Sequence, residues 1–214
     1  MKKFLAALCA AIMVTGSFAY TVDYGWETGS QAYLGTYGSI DTVNTGFNTD
    51  VARTGTQSLK IVEDPLSSTP QVYVGWVTGV SEGDVITATG WMYSTSADAA
   101  VSNPRGRLWC HYSTAADITT YEGSGTNPNN DYAGTVDWMQ FTQSTTVATG
   151  KEAVVIEARI YSDPAPGNVI YLDDLQITAP EGALVTLANG TTVPEPATMA
   201  VMALGGIFAF RKRR

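Results

Sequence analysis

The chain has 214 residues, 44% hydrophobic and only 15% charged, where an ordinary soluble domain carries about 25% charged residues. With 21 glycines and recurrent Thr, Ser, Asn and Tyr, the composition favours strands and turns and excludes a helical bundle or coiled coil. The formal charge is −8, and between Tyr20 and Val193 six basic residues stand against 19 acidic ones; so acidic a body repels phosphate backbones, which argues against nucleic acid as a partner.

The first 19 residues read as an address rather than as fold. Lys2 and Lys3 precede an apolar run over 4–14, and the small residues Ser17 and Ala19 follow it. This is the pattern of a secretory signal peptide, with cleavage by signal peptidase expected after Ala19. The run is too short to span a bilayer by itself. Cys9 falls inside this leader and leaves Cys110 alone, so no intramolecular disulfide can form in the mature chain. The single histidine, His111, excludes zinc sites built from several His or Cys ligands.

Residues 20–180 form the expected folded body. Strands are predicted over 58–63, 71–78, 84–94, 106–113, 137–146, 152–162 and 169–178, separated by Gly, Pro, Asn and Asp clusters. Alternation is clearest in Val72, Val74 and Trp76 and in Val154, Ile156, Ala158 and Ile160. Trp76 and Trp91, both in apolar strands, are expected in the core. Seven strands with no helical segment between them predict an all-β, antiparallel β-sandwich of the jelly-roll kind. Residues 181–192 are small and polar, and read as a linker.

The strand through Arg107, Leu108, Trp109, Cys110, His111 and Tyr112 presents two faces, because successive strand side chains point to opposite sides. Leu108, Cys110 and Tyr112 read as core. Arg107, Trp109 and His111 share the other face, a candidate surface for sugar, whose apolar C–H faces suit aromatic rings while its hydroxyls suit polar groups. The alternative is a solvated sheet face. Trp26, Trp138, Tyr37, Tyr93, Tyr121 and Tyr132 are further stacking candidates. Asp173 and Asp174 are adjacent, so on a regular strand they cannot flank one glycosidic bond; one of them better serves a cation. No Gly-x-Ser-x-Gly elbow or phosphate loop occurs, and a lone histidine gives nucleophilic catalysis little support.

The C-terminus has three ordered parts: Val193-Pro194-Glu195-Pro196, an apolar run over 197–210, and Arg211, Lys212, Arg213 and Arg214. As a helix the apolar run reaches about 21 Å, short of the ~30 Å hydrocarbon core, and the basic side chains can snorkel on the cytoplasmic side to close the gap. This tail resembles the PEP-CTERM sorting signal. The resemblance implies export, an inner-membrane-anchored intermediate held by a C-terminal transmembrane helix, and recognition by an exosortase cutting near Pro194-Glu195-Pro196. The destination it implies is the cell surface or extracellular matrix of an exopolysaccharide producer.

The body carries a second resemblance. Gly25-Trp26-Glu27-Thr28-Gly29, the segment Arg53-Thr54-Gly55-Thr56-Gln57-Ser58-Leu59-Lys60-Ile61, Gly90-Trp91-Met92-Tyr93, the strand opened by Trp138, and Tyr171-Leu172-Asp173-Asp174-Leu175-Gln176-Ile177 occur in this order. They resemble the marker segments of galactose-binding-like jelly rolls in carbohydrate-binding modules. That resemblance implies a structural calcium joining the first and last strands, held by Glu27, carbonyls at Arg53 and Gly55, and Asp173. Without a cation, Glu27 would pair with Arg53 and Asp173 would be solvated. The implied function is non-catalytic contact with polysaccharide. The alternatives are a purely structural matrix protein, or a jelly-roll glycoside hydrolase or lyase using Arg107, His111 and a nearby Tyr.

Overall fold

The computed structural model describes residues 19–64, 69–94, 106–125, 137–160 and 169–194. Twelve strands make up all the regular structure there. They are β1 (Ala19–Tyr24), β2 (Gly35–Tyr37), β3 (Gly46–Asn48), β4 (Ser58–Val62), β5 (Gln71–Thr78), β6 (Val85–Ser94), β7 (Arg107–Ser113), β8 (Met139–Thr146), β9 (Ala153–Arg159), β10 (Val169–Pro180), β11 (Leu184–Leu187) and β12 (Thr192–Pro194). All pair antiparallel, in two sheets. Sheet A runs β3-β4-β10-β6-β8 with β1 also beside β10; sheet B runs β12-β11-β5-β9-β7 with β2 also beside β5. The fold is the expected antiparallel β-sandwich.

The seven long strands follow the sequence pattern to within a few residues because each buries an alternating apolar set. Leu59, Ile61, Ile86, Leu172, Leu175 and Ile177 of sheet A meet Val72, Val77, Leu108, Cys110, Val154 and Ile156 of sheet B in one core. Each fully buried Leu, Ile or Val contributes roughly 1.5–3 kcal/mol. The sheets pack tightly at Gly75, where a Cβ would stand 2.5 Å from Ile177 Cδ1. A side chain there would force Ile177 to move.

Three expectations are corrected. Trp76 and Trp91 do not enter the core. A register shift lies between Tyr73 and Gly75 against β9, so Val77 rather than Trp76 continues the inward set of Val72. Trp76 lies on the outer face and donates from Nε1 to Ser113 Oγ at 3.0 Å. In β6 the inward residues are Ile86, Ala88, Gly90 and Met92, which leaves Trp91 outside. The 181–192 segment is no linker either. Strands β11 and β12 form a hairpin on β5, Ala183 and Val185 are buried, and the Tyr20 hydroxyl donates to the Ala183 carbonyl at 2.9 Å.

Ala19 opens β1 opposite Pro180. Residues 1–18 of the expected 19-residue leader, Tyr132, and the expected membrane helix with Glu195, Pro196 and the basic cluster lie outside the described residues. Among the described residues no helix is long and apolar enough to cross a membrane.

Candidate functional site

The register of sheet B sets the candidate surface. Across its outer face Gln71, Arg159 and Arg107 form one row, Tyr73, Glu157 and Trp109 the next, and Trp76, Val155 and His111 a third. Strand β2 adds Tyr37 beside Gln71. A cavity of about 320 Å³ opens here, lined by Tyr37, Gln71, Tyr73, Thr119, Tyr121 and Arg159. Its outermost rings are Tyr37 and Tyr121, 58% and 69% exposed.

Arg107, Trp109 and His111 do share this face, but their roles differ from the expectation. His111 is only 1% exposed. Its ring lies 5.3 Å from the Tyr73 ring and 5.6 Å from that of Tyr121. Its Nδ1 pairs with Glu157 Oε1. Trp109 is not an open platform, because the guanidinium groups of Arg159 and Arg107 lie 4.6 and 5.3 Å from its ring centroid. Its Nε1 donates to Ser124 Oγ at 3.1 Å.

Glu157 organises the floor. It is fully buried, and its Oε2 accepts from Arg159 Nε at 2.5 Å. In the amide orientation that satisfies both neighbours, Gln71 donates to Glu157 Oε2 at 2.9 Å and accepts from Arg159 Nη2 at 3.3 Å. An unpaired carboxylate at this depth would be costly; these donors offset the lost hydration. The same environment pushes the Tyr73 phenol up to about 12, by burial first and then by the Glu157 charge. Sequence reasoning missed Glu157 and Arg159, although the inward set of Ile156 and Ala158 already placed both on the outer face.

The residues of the second predicted cluster lie along one turn, Glu27 against the Thr56 and Gln57 amides and Asp173 against the Arg53 and Thr54 amides. Gly55 has φ +63, and a Cβ there would stand 2.3 Å from Glu27 Oε1. The turn therefore folds over the carboxylate. Glu27 Oε1 accepts from the Thr56 and Gln57 amides, both at 2.9 Å, and Oε2 from Thr56 Oγ1 at 2.8 Å. Those donors, the Gln57 amide foremost, hold the Glu27 carboxyl below its ordinary range. Asp173 is fully buried; its Oδ2 accepts from the Arg53 and Thr54 amides at 2.8 and 3.2 Å, and its Oδ1 from the Asp174 amide at 2.8 Å. Burial outweighs those bonds and raises its carboxyl.

Arg53 pairs with Asp174 at 2.5 Å rather than with Glu27. Asp173 and Asp174 do not point to opposite faces of a regular strand. β10 is irregular between Asp173 and Gln176, Asp174 has φ +48, and both carboxylates engage the Arg53-Thr54 turn. Among the described residues no three His, Cys, Asp or Glu side chains form a metal-ligand group. The donors present are hard oxygens, which is calcium chemistry. Glu27 Oε2 and Asp173 Oδ1 each carry a single hydrogen bond to the protein, which leaves each oxygen an open acceptor position.

Trp26 is not a stacking residue: it is fully buried and donates to the Ala32 carbonyl at 2.8 Å.

Residues 192–214 carry the PEP-CTERM protein-sorting motif. Val193 and Pro194 of that motif belong to β12, on the edge of sheet B. The fold is similar to the CBM22-2 xylan-binding domain of Xyn10C from Paenibacillus barcinonensis, at 13% identity and a TM-score of 0.51, over 74% of this chain and 98% of that one. It is also similar to the CBM22-1–CBM22-2 tandem of the same protein, at 14% identity and a TM-score of 0.50, over 77% of this chain and 47% of that one. These likenesses define a carbohydrate-binding-module-like sandwich. No curated protein matches the chain by sequence.

Proposed function

We propose that this chain is an exported, non-catalytic protein that contacts polysaccharide through the outer face of sheet B. The cavity beside Tyr37 and Tyr121 carries this reading. Two exposed phenol rings stand over a polar floor whose charges are internally compensated, the arrangement that suits a ring with apolar faces and equatorial hydroxyls. Gln71 and Arg159 supply fixed hydrogen-bonding groups at its base. Catalysis is disfavoured because His111 and Glu157 are buried and committed to each other.

The route follows from the two ends. Signal peptidase removes the leader after Ala19, the tail holds an inner-membrane intermediate, and an exosortase processes it for delivery to the surface or extracellular matrix. A structural calcium would be held by the Glu27 and Asp173 carboxylates with the Arg53 and Gly55 carbonyls. It would supply positive charge to a buried Asp173 whose hydrogen-bond donors among the described residues are all backbone amides.

The test is retention on insoluble xylan, mannan and glucan. The full chain should be retained by one of them, and Tyr37→Ala with Tyr121→Ala should abolish retention without changing the melting temperature. Equal retention of the double variant would sink the sheet B reading. Silence of the folded protein on all three would favour a purely structural matrix role.

A further inference from the structure

The opposite face of the sandwich carries a second cavity. Strand β10 pairs with β4 only as far as Leu172 and with β1 only from Leu175. At Asp173 and Asp174 that edge has neither neighbour, and the Arg53-Thr54 turn and Gly25 occupy the gap. Beside it lies a cavity of about 420 Å³, lined among others by Asp23, Thr89, Trp91, Gln140, Asp174 and Gln176. The register explains the grouping. Asp23, Gln176, Thr89 and Thr142 form one row across four strands, and Trp91 and Gln140 stand side by side in the next.

Of the three charged residues that line this cavity, two compensate each other. Arg53 lies 3.7 Å over the Trp91 ring. Its charge is matched by Asp174, whose other oxygen accepts from Thr54 Oγ1 at 2.6 Å. The hydroxyls below are paired across strands, Thr89 with Thr142 at 3.0 Å and Thr87 with Ser144 at 2.9 Å. The side chains of Gln140, Gln176 and Asp23 are different: all three are exposed and make no protein hydrogen bond among the described residues. Two free amides and one free carboxylate thus border an indole edge.

We propose that this cavity is a second site, for an uncharged hydroxyl-rich oligosaccharide. Each amide offers a donor and an acceptor together, and the carboxylate accepts from two adjacent hydroxyls, so the set matches vicinal diols. The one free charge, Asp23, disfavours an anionic sugar. A lone carboxylate with amides is too sparse a ligand set to select a divalent cation. Because the two cavities lie on opposite faces of one sandwich, a single chain bridges two glycan strands. The consequence is cross-linking, with avidity gained from linkage rather than from new contacts.

The experiment is calorimetric titration of the full chain in detergent with xylohexaose, mannohexaose and cellohexaose. It is paired with turbidity on mixing with the corresponding long polysaccharides. Two oligosaccharides should bind per chain, and turbidity should peak at an intermediate ratio. Gln140→Ala with Gln176→Ala should leave one site and no cross-linking, as should Tyr37→Ala with Tyr121→Ala. One site lost with the tyrosines and indifferent to the glutamines would overturn this proposal and leave the sheet B reading standing. One site lost with the glutamines alone would do the reverse. No binding of any of the three would overturn both.

Discussion

Glu157 and Asp173 are both fully buried carboxylates, one on each sheet, and the chain compensates them in opposite ways. Glu157 is held by side chains, His111 on one oxygen and Arg159 on the other. Asp173 is held by the backbone, through the Arg53, Thr54 and Asp174 amides. Side-chain compensation builds a floor of mixed charge beside a cavity, where a ligand can find donors and acceptors. Backbone compensation fixes the path of a turn and leaves the carboxylate short of positive charge. The first arrangement suits recognition; the second suits joining distant segments, here Arg53 and Thr54 to the last long strand.

The largest effect expected from breaking this comparison is at Glu157. Glu157→Ala leaves Arg159 and His111 without their shared partner in a buried setting, at a cost of about 3–5 kcal/mol. Replacing Glu157, His111 and Arg159 together by apolar residues of similar volume should cost much less, because no stranded charge remains. Urea denaturation of the three singles and the triple tests this. A triple variant as unstable as Glu157→Ala would show that packing, not charge, dominates.

The next effect is at Asp173. Asp173→Ala strands the turn amides and should cost roughly 2–3 kcal/mol, while Asp173→Asn keeps one acceptor oxygen and should cost about 1 kcal/mol. The same experiment contains the calcium proposal. Added calcium should raise the melting temperature of the unaltered chain, and neither variant should respond. A variant that gains as much as the parent would remove Asp173 from the ligand set.

Much of this architecture was legible in the sequence because the long strands carry their own periodicity. What escaped did so for identifiable reasons. β2, β3 and β12 are three residues each, too short to show a period. β11 has the alternation in Val185 and Leu187, but its small polar surroundings resemble a linker. The irregularities near Tyr73 and Asp173 shift side chains between faces without any local compositional mark, and so misplaced Trp76 and the Asp pair. At the candidate site the face of Arg107, Trp109 and His111 was readable from one strand. The burial of His111 was not, because it depends on Tyr73 and Tyr121 arriving from elsewhere in the chain. Glu157 and Arg159 were readable in principle, since they occupy the face opposite Ile156 and Ala158.

The smallest expected effect sharpens the contrast within the turn itself. Glu27 has its carboxyl lowered below 4.5 by the Gln57 and Thr56 donors. It therefore contributes stability that is present above its unfolded value and lost as pH falls through the lowered folded value. Asp41 and Asp117 are lowered as well, by Asn44 and Thr119, and act in the same direction. Asp173 is raised above 3.8 by burial, so its sign is reversed. The folded state binds that proton more readily than the unfolded chain, and stability is lost as pH rises through the raised value. Midpoints of urea unfolding between about pH 3 and 6 separate the two. Glu27→Gln should make the acid limb shallower without abolishing it, because Asp41 and Asp117 remain. Asp173→Asn should make it steeper, by removing a group that opposes it. Calcium held by Asp173 would lower that carboxyl and bring the unaltered chain toward the steeper profile. Identical profiles for the two variants would mean that the turn treats its two carboxylates alike, and the division between an exposed anchor and a buried one would fail.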